Sequence, residues 1–550
     1  MADVARQTED WQTLPWKKFQ RNVYRLQQRI YRATPRGDTK RVHALQRLLL
    51  RSWSARCLAV RQVTQDNRGK RTPGVDGVKV LRPTPRLRLA RDLRRWQRWT
   101  APPIRRIYIP KPNAPNEQRG LGIPTIFDRA HQALVKLALE PEGEAQFEPN
   151  VYGFRPGRSA HDAIEAVFNN IRLKPKYCLD ADIEKCFDRI SHAALLQKLH
   201  TFPALARLIW GWLQAGILDE GQMTYPEAGT PQGGVVSPLL MNIALHGLEQ
   251  AIRAASPKDA PAMVIRYADD LVILHADLKV ITHLRQVAED WLGRLGLRLK
   301  AAKTHITHTL HPHDGYVGFD FLGFQIRQYP VGQYHTRTHR RRRGYKTLIR
   351  PSQKATARQV EKTRALMKQY QGAPQAALIA VLNPVIRGWA NYYRASVAKR
   401  VFSQLDQWLY WQLEKWAHHR HPRKTRGWCY GRYWREHNGR KEFSDGDRHL
   451  AKYEDTPILR HVKVKGEKSV FDGDWAYWGE RLRRAPHLTA REAQLLKQQQ
   501  GRCECCGLRF QMADHSEVHH RDGNHQHNVI ANMVLLHSHC HDQLHAALCP

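Results

Sequence analysis

Two apolar β-branched runs flank a pair of acids in the stretch Val264 to Leu274, VIRYADDLVIL. The pattern predicts a strand, a tight turn and a second strand, with Asp269 and Asp270 at the tip. Burying two like charges side by side is costly unless a cation neutralises them. Taken alone, the pair fits an exposed hairpin turn equally well, because Asp favours turns. Upstream, Tyr177 to Asp188 (YCLDADIEKCFD) offers another apolar strand that ends in Asp182 and runs into a helix start. Three carboxylates on neighbouring strand ends would hold two hard divalent cations through oxygen. Such a pair of cations clamps the attacking and leaving oxygens of an in-line phosphoryl transfer. A polymerase-type palm is the expectation.

The remaining pattern frames that palm. Residues 1 to about 65 carry helical periodicity at Tyr24 to Tyr31 and Arg41 to Cys57, broken at Ala33 to Asp38, with basic residues on the open faces. This predicts two helices laid along RNA. The segment 68–80, RGKRTPGVDGVKV, is a Gly/Pro-punctuated loop. Arg105 to Arg129 alternates apolar and basic residues around prolines, and reads as a finger whose Lys111 and Arg119 suit a triphosphate. A basic surface hairpin fits the same pattern. A helix is expected over Ala130 to Glu140. Val151 to Ser159 (VYGFRPGRS) supplies aromatic and Arg groups for template contact or for packing. Gly229 to Asn242 (GTPQGGVVSPLLMN) suggests backbone that approaches a ligand closely, with Gln232 offering its amide. A connector at Leu295 to Lys303 and a hairpin at Val317 to Ile326 follow, then the basic run HRRRRG at 339–344. Residues 352–420 read as an aromatic-rich helical bundle. Residues 420–485 are basic, rich in Trp and Tyr, and weakly periodic.

Charge sharpens this picture. Lys plus Arg number 89 against 50 acids, a formal charge of +39. That excess predicts polyanion binding carried by phosphate contacts and steeply dependent on salt. The 550-residue chain is too long for one core. No apolar run reaches bilayer-spanning length, and the N-terminus lacks the apolar core of a signal. Of nine cysteines, Cys57, Cys178, Cys186 and Cys429 are scattered, while five lie in the last fifty residues. A reducing interior with one C-terminal metal site fits this distribution.

In that last stretch Cys503 and Cys506 form a C-x2-C knuckle, and His537 and Cys540 repeat the spacing. Two such pairs make a closed four-ligand set for structural zinc, with Cys505 a competing thiol. Within this frame lie His519, His520, Asn532, His541 and His545. His541 and His545 are four apart, on one helical face. Opposite a His-His strand they could hold one catalytic divalent cation, the remaining His activating water. A plain zinc finger is the alternative.

Together YADD (267–270), Asp182, GTPQGG (229–234), LGIPT (121–125), LGF (322–324) and LNPVIRGWANYY (from Leu382) resemble the reverse transcriptases and maturases encoded by group II introns. Residues 501–545 resemble an HNH endonuclease domain. The resemblance implies a multidomain α+β protein: a basic helical RNA-binding extension (1–65), right-hand fingers and palm (66–335), an α-helical thumb or maturase domain (336–420), a DNA-binding segment (421–490) and a zinc-containing ββα-metal HNH module (491–550). It implies RNA-dependent DNA polymerisation, help in splicing the intron RNA, and nicking of target DNA to prime reverse transcription and intron mobility. Expected partners are intron RNA in a ribonucleoprotein, target DNA and dNTPs, with no membrane; a homodimer is compatible with it. The expected place is the bacterial cytoplasm or nucleoid.

Carried onto this sequence, Asp182, Asp269, Asp270 and the Ile183 carbonyl hold Mg2+. Phe187 matches the aromatic gate that crowds a ribose 2′-OH. Lys111, Arg119, Gln232 and Lys303 are the expected nucleotide contacts. In the nuclease His520 is the expected general base, Asn532 orients the loop, and His519, His541 and His545 ligate its divalent metal. Cys503, Cys506, His537 and Cys540 take structural Zn2+. Two departures stand out: His537 replaces a more usual Cys, and an insert separates Lys111 from Arg119. Neither active site lacks a ligand, so both are expected to work. A maturase with a silent polymerase, a stand-alone defence or retroelement reverse transcriptase, and an RNA-dependent RNA polymerase are the competing readings.

Overall fold

A computed structural model describes residues 11–111, 114–332, 337–338, 341–342, 344–437, 439–485, 488–511, 514–525 and 527–548. The first ten residues fall outside these ranges, as do 339, 340 and 343 of the basic run 339–344, and the side chain of Lys111 is not described.

The N-terminal layer differs from the two helices expected. Trp16–Ala33 is one helix, but Arg41 to Cys57 is split into Thr39–Arg51 and Trp53–Arg61. Ser52 causes the break: its backbone is extended and its hydroxyl accepts from the Ala55 amide, capping the second piece. Periodicity alone cannot see such a break, because both pieces bury the same kind of residue. These helices pack on a long helix, Ile126–Gln146. That helix outruns the expected Ala130 to Glu140 at both ends and passes straight through Pro141, which is buried. Packing on both flanks outweighs the backbone bond that proline forfeits.

The fingers are an antiparallel pair, β1 (Ile104–Lys111) and β2 (Ala114–Ile123), with Arg119 exposed opposite Ile109. The palm strand β3 (Tyr177–Asp182) comes next in the chain. Short strands β4 (Ile217–Asp219) and β5 (Gln222–Thr224) extend the fingers sheet in the order β2-β1-β4-β5. The predicted strand, turn and strand form β6 (Met263–Tyr267) and β7 (Asp270–His275). With β8 (His305–His308) they complete an antiparallel palm sheet ordered β6-β7-β3-β8. One apolar core runs from the N-terminal helices through the palm helices, and Leu179, Leu271 and Ile273 seat the sheet on it.

A second core joins the opposite face of the palm to the thumb. Cys178, Val272 and Leu274 from the sheet meet Leu382, Ile386 and Phe402 from helices Gln375–Tyr393 and Lys399–Arg420. The same core takes in Trp434, Phe443, Tyr453 and Trp478, so the weakly periodic 420–485 stretch is folded onto the body. It is fastened there by a buried carboxylate. Asp162 caps its own helix and also accepts from the Val464 amide, at 2.8 Å, and from Arg481, at 2.5 Å. A third, small core (Leu495, Leu496, Val534 to Leu536) belongs to the C-terminal module.

Candidate functional site

The register of the palm sheet places the acids. Asp182 lies directly across from Asp270, and the two-residue turn Ala268–Asp269 follows Tyr267. Ala268 holds a left-handed backbone (φ 58°) and is buried. The turn is pinned from outside: a Cβ on Gly153, in the VYGFRPGRS stretch, would come within 2.3 Å of the Ala268 nitrogen. That stretch therefore packs against the acid turn, which resolves its packing role. The Ile183 amide donates to the Asp269 carbonyl at 3.1 Å, locking the end of β3 to the turn. Among the described residues no hydrogen bond takes the Ile183 carbonyl.

The carboxyls are crowded and half-buried. Burial, then the neighbouring Asp269 and Asp182, push the Asp270 carboxyl up to about 7. Asp269 is raised mainly by burial. Lys303 reaches in with Nζ 2.6 Å from Asp182 Oδ2. Burial opposes its charge, but the bond to Asp182 and the pull of the other acids hold it up. The site thus draws in a side-chain cation, as a cluster suited to hard cations should. Lys303 was expected at a nucleotide; here it meets the acid that a nucleotide's metals would use. Asp180 joins the cluster and was missed by the sequence reading. It sits two residues before Asp182, on the same face of β3, and burial with Asp270, Asp320 and Asp182 pushes it up to about 7. The period-2 rule applied to YCLDAD would have found it.

Phe187 is half-buried beside this cluster, its ring edge-on to the exposed Phe154 with centroids 6.2 Å apart. The GTPQGG loop is built against it. A Cβ on Gly229 would meet the Phe187 and Asp188 carbonyl oxygens at 2.7 Å, and one on Gly233 would meet the Gly122 oxygen at 2.4 Å. These glycines let backbone lie on backbone, joining the fingers to the acid strand. The Gln232 amide is engaged too, donating to both Asp188 oxygens at 3.1 and 3.2 Å. Arg119 lies near enough to Asp269 to favour its ionised form.

The C-terminal module holds two Cys/His clusters. The ligand atoms of Cys503, Cys506, His537 and Cys540 lie within 4.8 Å of one another. Asp514 Oδ2 is 3.4 Å from His537 Nε2, the outer carboxylate that often orients a metal-bound imidazole. Cys505 is exposed and outside this set, although a contact with Cys540 pulls its thiol down to about 7. The donor chemistry, three thiols and an imidazole in a closed group, fits Zn2+.

His519, on the strand Ser516–His520, gathers with His541 and His545 of the helix Ser538–Leu548. The Nε2 atoms of His541 and His545 are 3.2 Å apart, and Glu517 accepts from His541 Nδ1 at 2.9 Å. His520 points to the other strand face by alternation and is buried, with Nε2 3.3 Å from Asn528 Oδ1. Asn532 ties the intervening loop. It accepts from the Asp522 amide and donates to the Asp522 carboxylate and the His527 carbonyl. Asp522 and His527 complete that knot at 2.6 Å and were not foreseen.

The N-terminal layer also reaches this module. Arg61 donates to His539 Nε2 at 2.6 Å, and His539 Nδ1 donates to Asp66 at 3.0 Å. Leu508 enters the first core. The end of the region expected along RNA thus contacts the C-terminal module.

Three family models match the chain: the N-terminal domain of reverse transcriptase over residues 11–93, reverse transcriptase (RNA-dependent DNA polymerase) over 109–326, and the group II intron maturase-specific domain over 356–434. Protein YkfC of Escherichia coli (strain K12) is 31% identical over 346 residues, covering 55% of this chain and 88% of that protein. Group II intron-encoded protein LtrA of Lactococcus lactis subsp. cremoris is 36% identical over 184 residues, 33% of this chain and 30% of its own length. Maturase-like protein 1 of Euglena gracilis is 28% identical over 328 residues, 58% of this chain and 66% of that protein. No helix among the described residues is long and apolar enough to cross a membrane.

Proposed function

Because this chain belongs to the group II intron reverse transcriptase/maturase family, we propose that it copies RNA into DNA in the palm, assists its intron RNA in splicing, and nicks target DNA with its C-terminal module. The observation that carries the polymerase reading is the Asp182–Asp270 cross-strand pair, with Asp269 in the adjoining turn. Asp182, Asp269, Asp270 and the Ile183 carbonyl would hold Mg2+, which when bound supplies the positive charge that stabilises both the attacking 3′-oxygen and the departing pyrophosphate. The residues do the rest. Arg119, with Lys111, binds the triphosphate of a dNTP. Lys303 leaves Asp182 for the same phosphates. Phe187 crowds the ribose 2′ position and so favours deoxynucleotides. Gln232, braced by Asp188, borders the nucleotide from the loop side.

The helices Gln353–Gln369, Gln375–Tyr393 and Lys399–Arg420 form the maturase surface toward intron RNA, and the +39 charge supplies the phosphate contacts. In the module, His520 takes the proton of the attacking water, Asn532 keeps the loop that carries it in place, and His519, His541 and His545 would hold the divalent cation that neutralises the scissile phosphate. The fourth group, Cys503, Cys506, His537 and Cys540, would hold Zn2+ as a structural clip. Nicking of one target strand would supply the 3′ end that primes copying, within a ribonucleoprotein in the bacterial cytoplasm or nucleoid. Purified protein given plasmid DNA and Mg2+ or Mn2+ should nick it; a protein that binds Zn2+ in the Cys set but never cleaves DNA, with or without intron RNA, would reduce the module to a zinc finger.

A further inference from the structure

The hairpin Trp434–His437/Arg440–Phe443 has one face committed to the thumb core and one left over. Trp434 pairs with Phe443 on the inner face, and both are buried with Leu450. By alternation the outer face presents His437 and Glu442, since Glu442 opposes Arg435 in register and His437 stands two residues on. After the second strand, Asp445 accepts from the Asp447 and Arg448 amides and turns the chain back. Ser444 then bridges His449, and the Leu450 amide donates to the Phe443 carbonyl. His449 therefore returns to the same outer face as Glu442. The two imidazoles lie nearly parallel, centroids 4.5 Å apart at 24°.

One ligand atom from each of His437, Glu442 and His449 falls within 4.8 Å of the other two. Neither imidazole has a hydrogen-bond partner among the described residues, so their nitrogens are uncommitted. We infer that His437, Glu442 and His449 bind a further divalent cation of the zinc class, separate from the palm and from both C-terminal clusters. Two imidazoles and one carboxylate suit Zn2+, Co2+ or Ni2+ better than Mg2+. Three protein ligands leave the rest of the coordination sphere to solvent. The ion would clip the hairpin to the returning segment. The competing cations are Lys452, with Nζ 3.6 Å from Glu442 Oε1, and Arg435 across the strand. The site binds metal only if it displaces Lys452. None of this depends on the catalytic reading of either nuclease or palm.

The test uses full-length protein stripped of metal and titrated with Zn2+ alone against a chromophoric chelator. The variant His437→Ala/His449→Ala should bind one equivalent fewer than the parent, with the other equivalents unchanged. Glu442→Gln should weaken that one class by at least about tenfold. Both imidazoles are exposed and Glu442 is half-buried, so circular dichroism and the melting temperature of the metal-free double variant should match the parent. If the double variant misfolds, the Glu442→Gln titration alone decides. Equal stoichiometry and affinity in parent and variants would overturn the site and leave Glu442 as the partner of Lys452.

Discussion

The palm and the C-terminal module each gather candidate metal ligands, but by opposite means. In the palm the fold comes first. Asp182, Asp269 and Asp270 sit at the ends of strands whose Leu179, Leu271 and Ile273 are fully buried in a core that spans much of the chain. The like charges are forced together by that scaffold, and burial with this crowding raises the proton affinity of Asp180 and Asp270. In the module the ligands come first. Its own core is a handful of residues, and Cys503, Cys506, His537 and Cys540 lie among them. A small core of this size needs a staple. The difference teaches that removing a ligand should disarm the palm but dismantle the module.

The largest effect should follow Cys503→Ala. Residues 501–548 should become sensitive to limited proteolysis and release Zn2+, while primer extension by the palm persists. A Cys503→Ala protein that resists protease and still nicks DNA would mean that Cys505 substitutes, or that the site is not structural. Next in size, His520→Ala should slow nicking by about 10²–10⁴-fold, the usual cost of losing a general base. Polymerisation and zinc content should stay unchanged; a parallel fall in polymerisation would show that the two regions are not independent. Smaller again, Phe187→Ala should shift the preference for dNTPs over rNTPs by about 10–200-fold toward rNTPs, the range open to steric discrimination. Competitive single-nucleotide incorporation reads this directly, and an unmoved ratio would remove Phe187 from that role.

The smallest effect is a pH dependence confined to the palm. Asp180 and Asp270 hold protons in the fold up to about pH 7, whereas an unfolded chain releases them near pH 4. Between those values the folded state binds more protons, so metal-free stability should fall as pH rises through that window and then level off. Divalent cations should cancel the trend. Calorimetric titration with Mg2+ at about pH 6, in buffers of different ionisation enthalpy, should show proton release at the palm. Binding without proton release would contradict the crowding argument.

The acid strands were legible because their chemistry is local: apolar alternation and a terminal carboxylate lie within a dozen residues. The gathering of Cys503, Cys506, His537 and Cys540 was legible through its C-x2-C and H-x2-C spacing. What escaped depends on partners far along the chain. Ser52 breaks a run that is periodic on both sides. Pro141 sits inside a helix because both flanks are packed. Gly229 and Gly233 of GTPQGG let backbone lie on Phe187 and Gly122, contacts that no local pattern shows. Asp162 fastens Val464 and Arg481 some three hundred residues away. The Arg61–His539–Asp66 contact joins opposite ends of the sequence. Asp180 alone was missed for want of applying a rule that was available.

The central claim is that the palm polymerises. Purified protein, a primed RNA template, Mg2+ and dNTPs, beside Asp269→Ala of matched melting temperature, test it most directly. The account predicts long cDNA from the native protein and a loss of at least about 10²–10³-fold in the variant, the scale of removing one charge-stabilising group. Equal cDNA from both would contradict the acid cluster as the catalytic centre. No cDNA from either, with intron RNA supplied, would leave a maturase whose palm is silent.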